Sequence, residues 1–140
     1  MCQWGLSLMK KLLILLFSIL ISFNSYGEWF QSNTDVSGNN FYVDPFTVKT
    51  HKGYVYYWSL TDYLKPDKDG NMSSKSYKQV DCGMNRYKTL SITAYKEPMG
   101  EGSGETLNSP IPGWWQYPTP NTVGESMLNQ VIDLFCVNVD

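Results

Sequence analysis

Two cysteines, Cys82 and Cys136, constrain this chain more than any other feature, because of the segment that precedes them. Lys10 and Lys11 lead into an apolar run from Leu12 to Ile21, which gives way to Ser25, Tyr26 and Gly27. A basic start, an apolar stretch and a small-residue end make a secretory signal peptide. The run is shorter than the about 20 apolar residues a membrane span requires. Residues 1–27 are therefore read as the signal, cut after Gly27, and residues 28–140 as one mature domain. Residues 1–8 hold no basic residue, which places the natural start at Met9. No cysteine lies between Leu12 and Trp29 to carry a lipid anchor, and Cys2 stands on the wrong side of the apolar run. The product is expected in the periplasm, secreted or at the cell surface, with no transmembrane segment after cleavage. In such an oxidising compartment, two remaining cysteines form a disulfide by default. Closing so long a loop contributes roughly 4 kcal/mol, against a total of about 5–15 kcal/mol for a domain of this size.

From Trp29 to Tyr117 the chain reads as short strands between turns. Asn33 to Asn40 has turn composition, Phe41 to Val43 is a strand stopped by Asp44-Pro45, and His51-Lys52-Gly53 turns the chain again. Tyr54 to Tyr63 is the strongest strand signal, dense in aromatic and β-branched residues. Lys65 to Asn71 is a loop. Ser74 to Cys82 and Tyr87 to Tyr95 make a hairpin around Gly83 to Arg86. Leu90, Ile92 and Ala94 alternate with Thr89, Ser91 and Thr93, which marks one buried face. For Val80 and Cys82 to share that face, the hairpin loop needs an odd number of residues, since a slip of one flips every side chain. Residues 97–113 read as a Gly/Pro-rich loop, and Trp114 to Tyr117 as a last strand. Then Thr122 and Glu125 form a capping box, and Met127, Leu128, Val131, Ile132, Leu134 and Phe135 recur at helical spacing. An amphipathic helix is predicted over 123–135, closed by Cys136. Cys82, at a strand end, reaches Cys136 only if that helix lies on the sheet, so the class is α+β.

The segments "GNNFYVDPFTV", "VYYWSLTDY", "SSKSYKQVDCGMNRYKTLSITAYKEPMGEG" and "WWQYP", with the terminal helix ending in Cys136, resemble the surface-adhesin protein E family of Gram-negative bacteria. The resemblance runs from about Trp29 to Cys136 and is most specific at Asp81-Cys82, Arg86 and "YKEPMGEG". It implies a small antiparallel sheet with one C-terminal helix tied to it by a disulfide, matched here by Cys82 and Cys136. It also implies a binding role toward host matrix or serum proteins. The missing lipid-anchor cysteine departs from the family's named adhesin and sets surface display apart from a periplasmic role, as an enzyme inhibitor or assembly partner.

Enzymatic chemistry finds little to build on. His51 is the single histidine and sits in a Lys-Gly turn, so neither Ser-His-Asp nor Cys-His catalysis has a base elsewhere. One His and two oxidised Cys leave no nitrogen–sulfur ligand set for a metal. "DKDGN", Asp67 to Asn71, departs from a calcium loop, which needs its glycine sixth and a Glu twelfth. "GEGSGE", Gly100 to Glu105, is acidic and lacks the lysine of a phosphate loop. No catalytic residue, metal or cofactor is expected, and no nucleic acid as a partner. Two features point to contact binding of a protein or glycan. Lys75, Lys78, Arg86, Lys88 and Lys96 gather on the hairpin as either a candidate basic surface on an acidic chain or, as preferred here, an ordinary solvated face. Tyr54, Tyr56, Trp58, Trp114, Trp115 and Tyr117 form either a stacking platform or, as preferred here, the core beneath the helix. On that preference, loss of the disulfide frees the helix and exposes Trp114 and Trp115.

Overall fold

Strand propensity is concentrated in "YVYYWSLTD", and this segment is the centre of the sheet. The computed structural model describes residues 3–21, 28–107, 113–137 and 139. The proposed cleavage residues Ser25 to Gly27, and residues 108–112 of the Gly/Pro-rich loop, lie outside the described residues. In chain order the strands are β1 (Phe30–Thr34), β2 (Asn40–Val43), β3 (Lys49–His51), β4 (Tyr54–Asp62), β5 (Ser73–Asp81), β6 (Arg86–Tyr95) and β7 (Gly104–Thr106). The helices are α1 (Gln3–Ile21) and α2 (Val123–Phe135). Among the described residues the strands form one antiparallel sheet in the order β1-β2-β4-β5-β6-β7, with β3 also on β4. β2 pairs with Ser59–Asp62 and β3 with Tyr54–Tyr56, so the two share one edge of β4. The described side chains of α1 are exposed. Among the described residues no helix is long and apolar enough to cross a membrane.

Turn chemistry explains the connections. Lys52 (φ 49°) and Gly53 (φ 82°) are both left-handed, as a two-residue turn between right-twisted strands requires. Two loops use the same device at D-x-x-G-N. The Asp35 carboxylate accepts from Ser37 N and Asn39 N, and the Asp67 carboxylate from Asp69 N and Asn71 N. Each pairs again with the side-chain amide of its Asn, 3.0 Å away in both loops. Gly38 and Gly70 take positive φ in the two. The backbone bond to Asn39 or Asn71 is the main cause that lowers each carboxyl below the usual aspartate value. Asp67 is thus spent on its own loop.

Register assigns every strand residue to a face. Val55 pairs with Val80, and Val80 with Tyr87, so these share one face with Val43, Tyr57, Lys78 and Thr89. Helix α2 covers this face: Met127, Leu128 and Val131 are buried against Val43, Val55, Tyr57 and Val80, with Phe41, Tyr87, Ile132 and Phe135 around them. Each such side chain contributes about 1.5–3 kcal/mol when fully buried, before ordering costs. Tyr57, 2 % exposed, has its phenol pushed well above the ordinary value by burial. The helix also docks on the edge strand, through Ser32 Oγ to Gln130 Oε1 (2.5 Å) and Asn33 Nδ2 to Ser126 Oγ (3.2 Å). Cys82 follows β5, Cys136 follows α2, and their disulfide joins Cα atoms 5.7 Å apart.

The structure differs from the sequence reading at several points: Asn33 and Thr34, read as turn, end β1, and His51, read as turn, ends β3. The β5–β6 loop is Cys82–Asn85, an even count, and a bulge corrects the parity. Tyr77 pairs with Ser91 and Lys78 with Thr89, so Leu90 is the extra residue and is 42 % exposed rather than buried with Ile92 and Ala94. Within 97–113, Gly104–Thr106 pairs with Thr93–Tyr95 as β7. Trp114 to Tyr117 does not form a strand; Gln116 makes a single bridge to Tyr87.

Candidate binding surface

The face opposite α2 carries the alternate residues: Tyr54, Tyr56 and Trp58 from β4, Lys75, Tyr77, Gln79 and Asp81 from β5, and Arg86, Lys88, Thr93 and Tyr95 from β6. Most are half-buried rather than covered. The aromatics expected beneath the helix are therefore on the other side, because the register that buries Val55 and Tyr57 turns Tyr54, Tyr56 and Trp58 away.

Three clusters follow one another along this face. Near the β5–β6 turn, Trp115 stacks on Tyr54 with centroids 5.8 Å apart. The Arg86 guanidinium lies 4.5 Å and the Lys88 ammonium 4.3 Å from the Trp115 ring centroid. Arg86 also pairs with Asp81 at 2.9 Å and donates to the Tyr117 hydroxyl at 3.3 Å. The Tyr117 bond, then the Asp81 bond, raise its already high pKa. In the middle, Tyr77 packs with Tyr56 (6.2 Å) and Trp58 (4.9 Å), and Gln79 donates to the Tyr56 hydroxyl. At the far end, the Lys75 ammonium sits 5.0 Å from the Tyr95 centroid and 5.8 Å from that of Trp29. Trp29, Asp44, Trp58, Lys75, Thr93 and Tyr95 line an open groove of about 300 Å³. The Lys75 stem runs over Gly100, where a Cβ would overlap its Cε.

The five basic residues singled out in the sequence do not form one surface. Lys75, Arg86 and Lys88 share the open face. Lys96 lies beyond β6, and its ammonium donates to the Asp69 carbonyl at 2.6 Å, bracing the Asp67 loop. Lys78 is on the helix side, its ammonium 5.1 Å from the Tyr87 centroid. As a residue it keeps some solvent contact, yet its ammonium is densely surrounded, and desolvation pulls its pKa down to about 8. Among the described residues no carboxylate forms an ion pair with it.

Other features carry less chemistry. His51 is exposed at the end of β3. Among the described residues, no group of His, Cys, Asp or Glu is arranged to hold a metal. A wider groove of about 650 Å³ lies between β1 and α2, lined by Asn33, Glu125, Ser126 and Gln130. Its polar groups bond one another across the helix–strand contact, so it reads as the dock of α2.

One antiparallel sheet is backed by a disulfide-tied helix and shows an aromatic and basic front. The family model for surface-adhesin protein E matches residues 29–136, and the chain belongs to that family. Among curated proteins no match is found. Solved structures of Haemophilus influenzae protein E share the fold. One aligns with a TM-score of 0.58 at 15 % identity, over 75 % of this chain and 83 % of that one. A second crystal form gives 0.54 at 20 % identity, over 74 % and 94 %. Protein E from non-typeable H. influenzae gives 0.53 at 16 %, over 77 % and 74 %.

Proposed function

We propose that the chain is an exported, adhesin-like binding protein that recognises a host matrix or serum macromolecule, or one of the bacterial envelope, through the open face of its sheet. The observation that carries this reading is the row of aromatic and basic side chains left uncovered opposite α2, from Trp115 and Arg86 to Lys75. Aromatic and arginine side chains are the residue types that dominate binding energy at contact surfaces. The role calls for no reaction, and residues 28–140 carry it once residues 1–27 are removed. The protein purified from the periplasm or medium should therefore have the intact mass of residues 28–140; retained signal residues or added acyl chains would refute that boundary.

The direct test is capture from matrix, serum and envelope extracts. Wild-type protein should retain a partner, and Tyr56→Ala with Trp58→Ala should lose it while the melting temperature shows a folded sheet. Equal capture by the variant would remove the open face from the reading. The absence of a cysteine between Leu12 and Trp29 favours a second reading, a periplasmic inhibitor or assembly partner. Protease accessibility on intact cells separates the two: cleavage supports display, and full protection supports the envelope factor.

A further inference from the structure

We propose that the groove between Trp29, Trp58 and Tyr95 is a subsite for an acidic sugar, and that an anionic polysaccharide lies from it along β5 and β6 toward Lys88 and Arg86. This rests on the open face being the binding surface and names the chemistry it takes. The groove offers three ring walls, one cation and one carboxylate. The Lys75 ammonium is held between Tyr95 and Trp29, and among the described residues no carboxylate pairs with it. Asp44 is fixed by its own turn, one carboxylate oxygen accepting from Phe46 N at 3.0 Å. Its other oxygen is an acceptor for a hydroxyl. Ring faces suit the C–H face of a pyranose, Asp44 suits a sugar hydroxyl, and Lys75 suits a carboxylate or sulfate on the same sugar. A volume of about 300 Å³ stands at the lower end of ligand sites, so the subsite holds a short stretch of a longer molecule.

A second set of cations extends the site: Lys88, which has no carboxylate partner among the described residues, and Arg86, which already has Asp81 beside it. Lys88 lies opposite Gln79 and Arg86 opposite Asp81, four and six residues along β5 from Lys75. At the rise of a strand these are about 13 and 20 Å away. Cations repeated along a line match an anionic polymer better than a single small anion. A peptide fits less well. β4 and β5, which hold Trp58 and Lys75, already have strand neighbours on both sides. An extended peptide there gains no main-chain hydrogen bonds, the source of affinity in strand addition.

The test is a titration of the purified exported protein with heparin oligosaccharide, chondroitin sulfate and polyuronate, read by Trp fluorescence. Neutral dextran and poly-L-glutamate of matched charge are the comparisons. At least one acidic glycan should bind, with affinity falling as salt rises, while dextran stays silent. Lys75→Gln should weaken that binding about tenfold or more, a charge-assisted bond lost. Lys88→Gln should weaken it less, and Lys96→Gln should leave it unchanged. Melting curves confirm that each variant is folded, and Lys88→Gln carries the test if Lys75→Gln is not. Poly-L-glutamate binding as tightly as the best glycan would overturn the proposal in favour of an acidic peptide. Equal weakening by Lys96→Gln would reduce it to net charge. If no acidic glycan binds while extract capture persists, the glycan is wrong and the broader reading stands; if capture also fails, both fall.

Discussion

Lys75 and Lys78 stand three positions apart on one strand, and that odd spacing sends them to opposite faces. Counting charges along the sequence put both in one basic patch; parity separates them. The charge of Lys78, which has no carboxylate partner among the described residues, has a cost that pH controls. Its folded pKa is about 8 against an ordinary 10.5. Between those values the unfolded chain binds more protons than the folded one, so stability rises with pH across that window, and below pH 8 the penalty is present in full. Lys78→Met should stabilise the protein by about 2 kcal/mol at pH 7, less than the whole shift because the side chain keeps some solvent contact and loses its ring contact. Urea unfolding should show that gain shrinking toward zero by about pH 10.5; a gain equal at both pH values would disprove the mechanism. Gly100 is the second residue whose role is specific. It takes φ 67° beneath the Lys75 stem, with Leu60 Cδ1 3.2 Å from where a Cβ would stand. Gly100→Ala should cost about 1–3 kcal/mol in urea unfolding, from backbone conformation and overpacking together. A loss below a few tenths would mean the loop simply moves aside. The segment "YKEPMGEG" marks this glycine only by resemblance, because its physical constraint comes from a side chain 25 residues earlier.

At the scale of elements, α2 was the most legible part, because its start is written in side chains. Thr122 Oγ1 accepts from Glu125 N at 3.3 Å and donates to the Thr119 carbonyl at 2.6 Å. Glu125 reaches back to Asn121 N, one residue beyond the usual capping-box partner. Thr122→Ala should lower stability by about 1 kcal/mol, while Thr122→Asp should keep most of it. The comparison is made by urea unfolding with helical circular dichroism, and equal loss in both variants would remove the cap as the cause. The long strands and β2 were legible, while β1 was not, since its Asn33 and Thr34 have turn composition. β4, β5 and β6 have the apolar or alternating residues that mark strands, whereas β3 and β7 are three residues each and exist only because a neighbour pairs with them. The bulge at Leu90 was illegible for a related reason: which residue is skipped depends on the opposite strand, not on the alternation of Leu90, Ile92 and Ala94.

For the whole molecule, the candidate surface was half legible. The density of Tyr and Trp in 54–58 was plain, but both faces of β4 are apolar, so only the docked helix shows which one is the core. The disulfide acts on that core side. It ties chain positions 54 residues apart, worth roughly 4 kcal/mol in the chain-entropy account. Cys136→Ser should lower the melting temperature by about 10–20 °C. Below the transition, however, quenching of Trp fluorescence should stay as in the wild type. Trp58 and Trp115 stand on the face away from α2, and Trp114 is already 70 % exposed. This replaces the expectation that freeing the helix exposes Trp114 and Trp115. A raised quenching constant in the folded variant would show instead that the two faces are coupled. The opposed faces of β4 also set how the gene can drift in length. If the open face is the binding surface as proposed, point changes at Tyr54, Tyr56 or Trp58 alter recognition and spare the core, so partner choice can diversify one codon at a time. Losing a single codon between them would turn the open-face residues inward and the core residues out, so this strand tolerates new letters but not a new count.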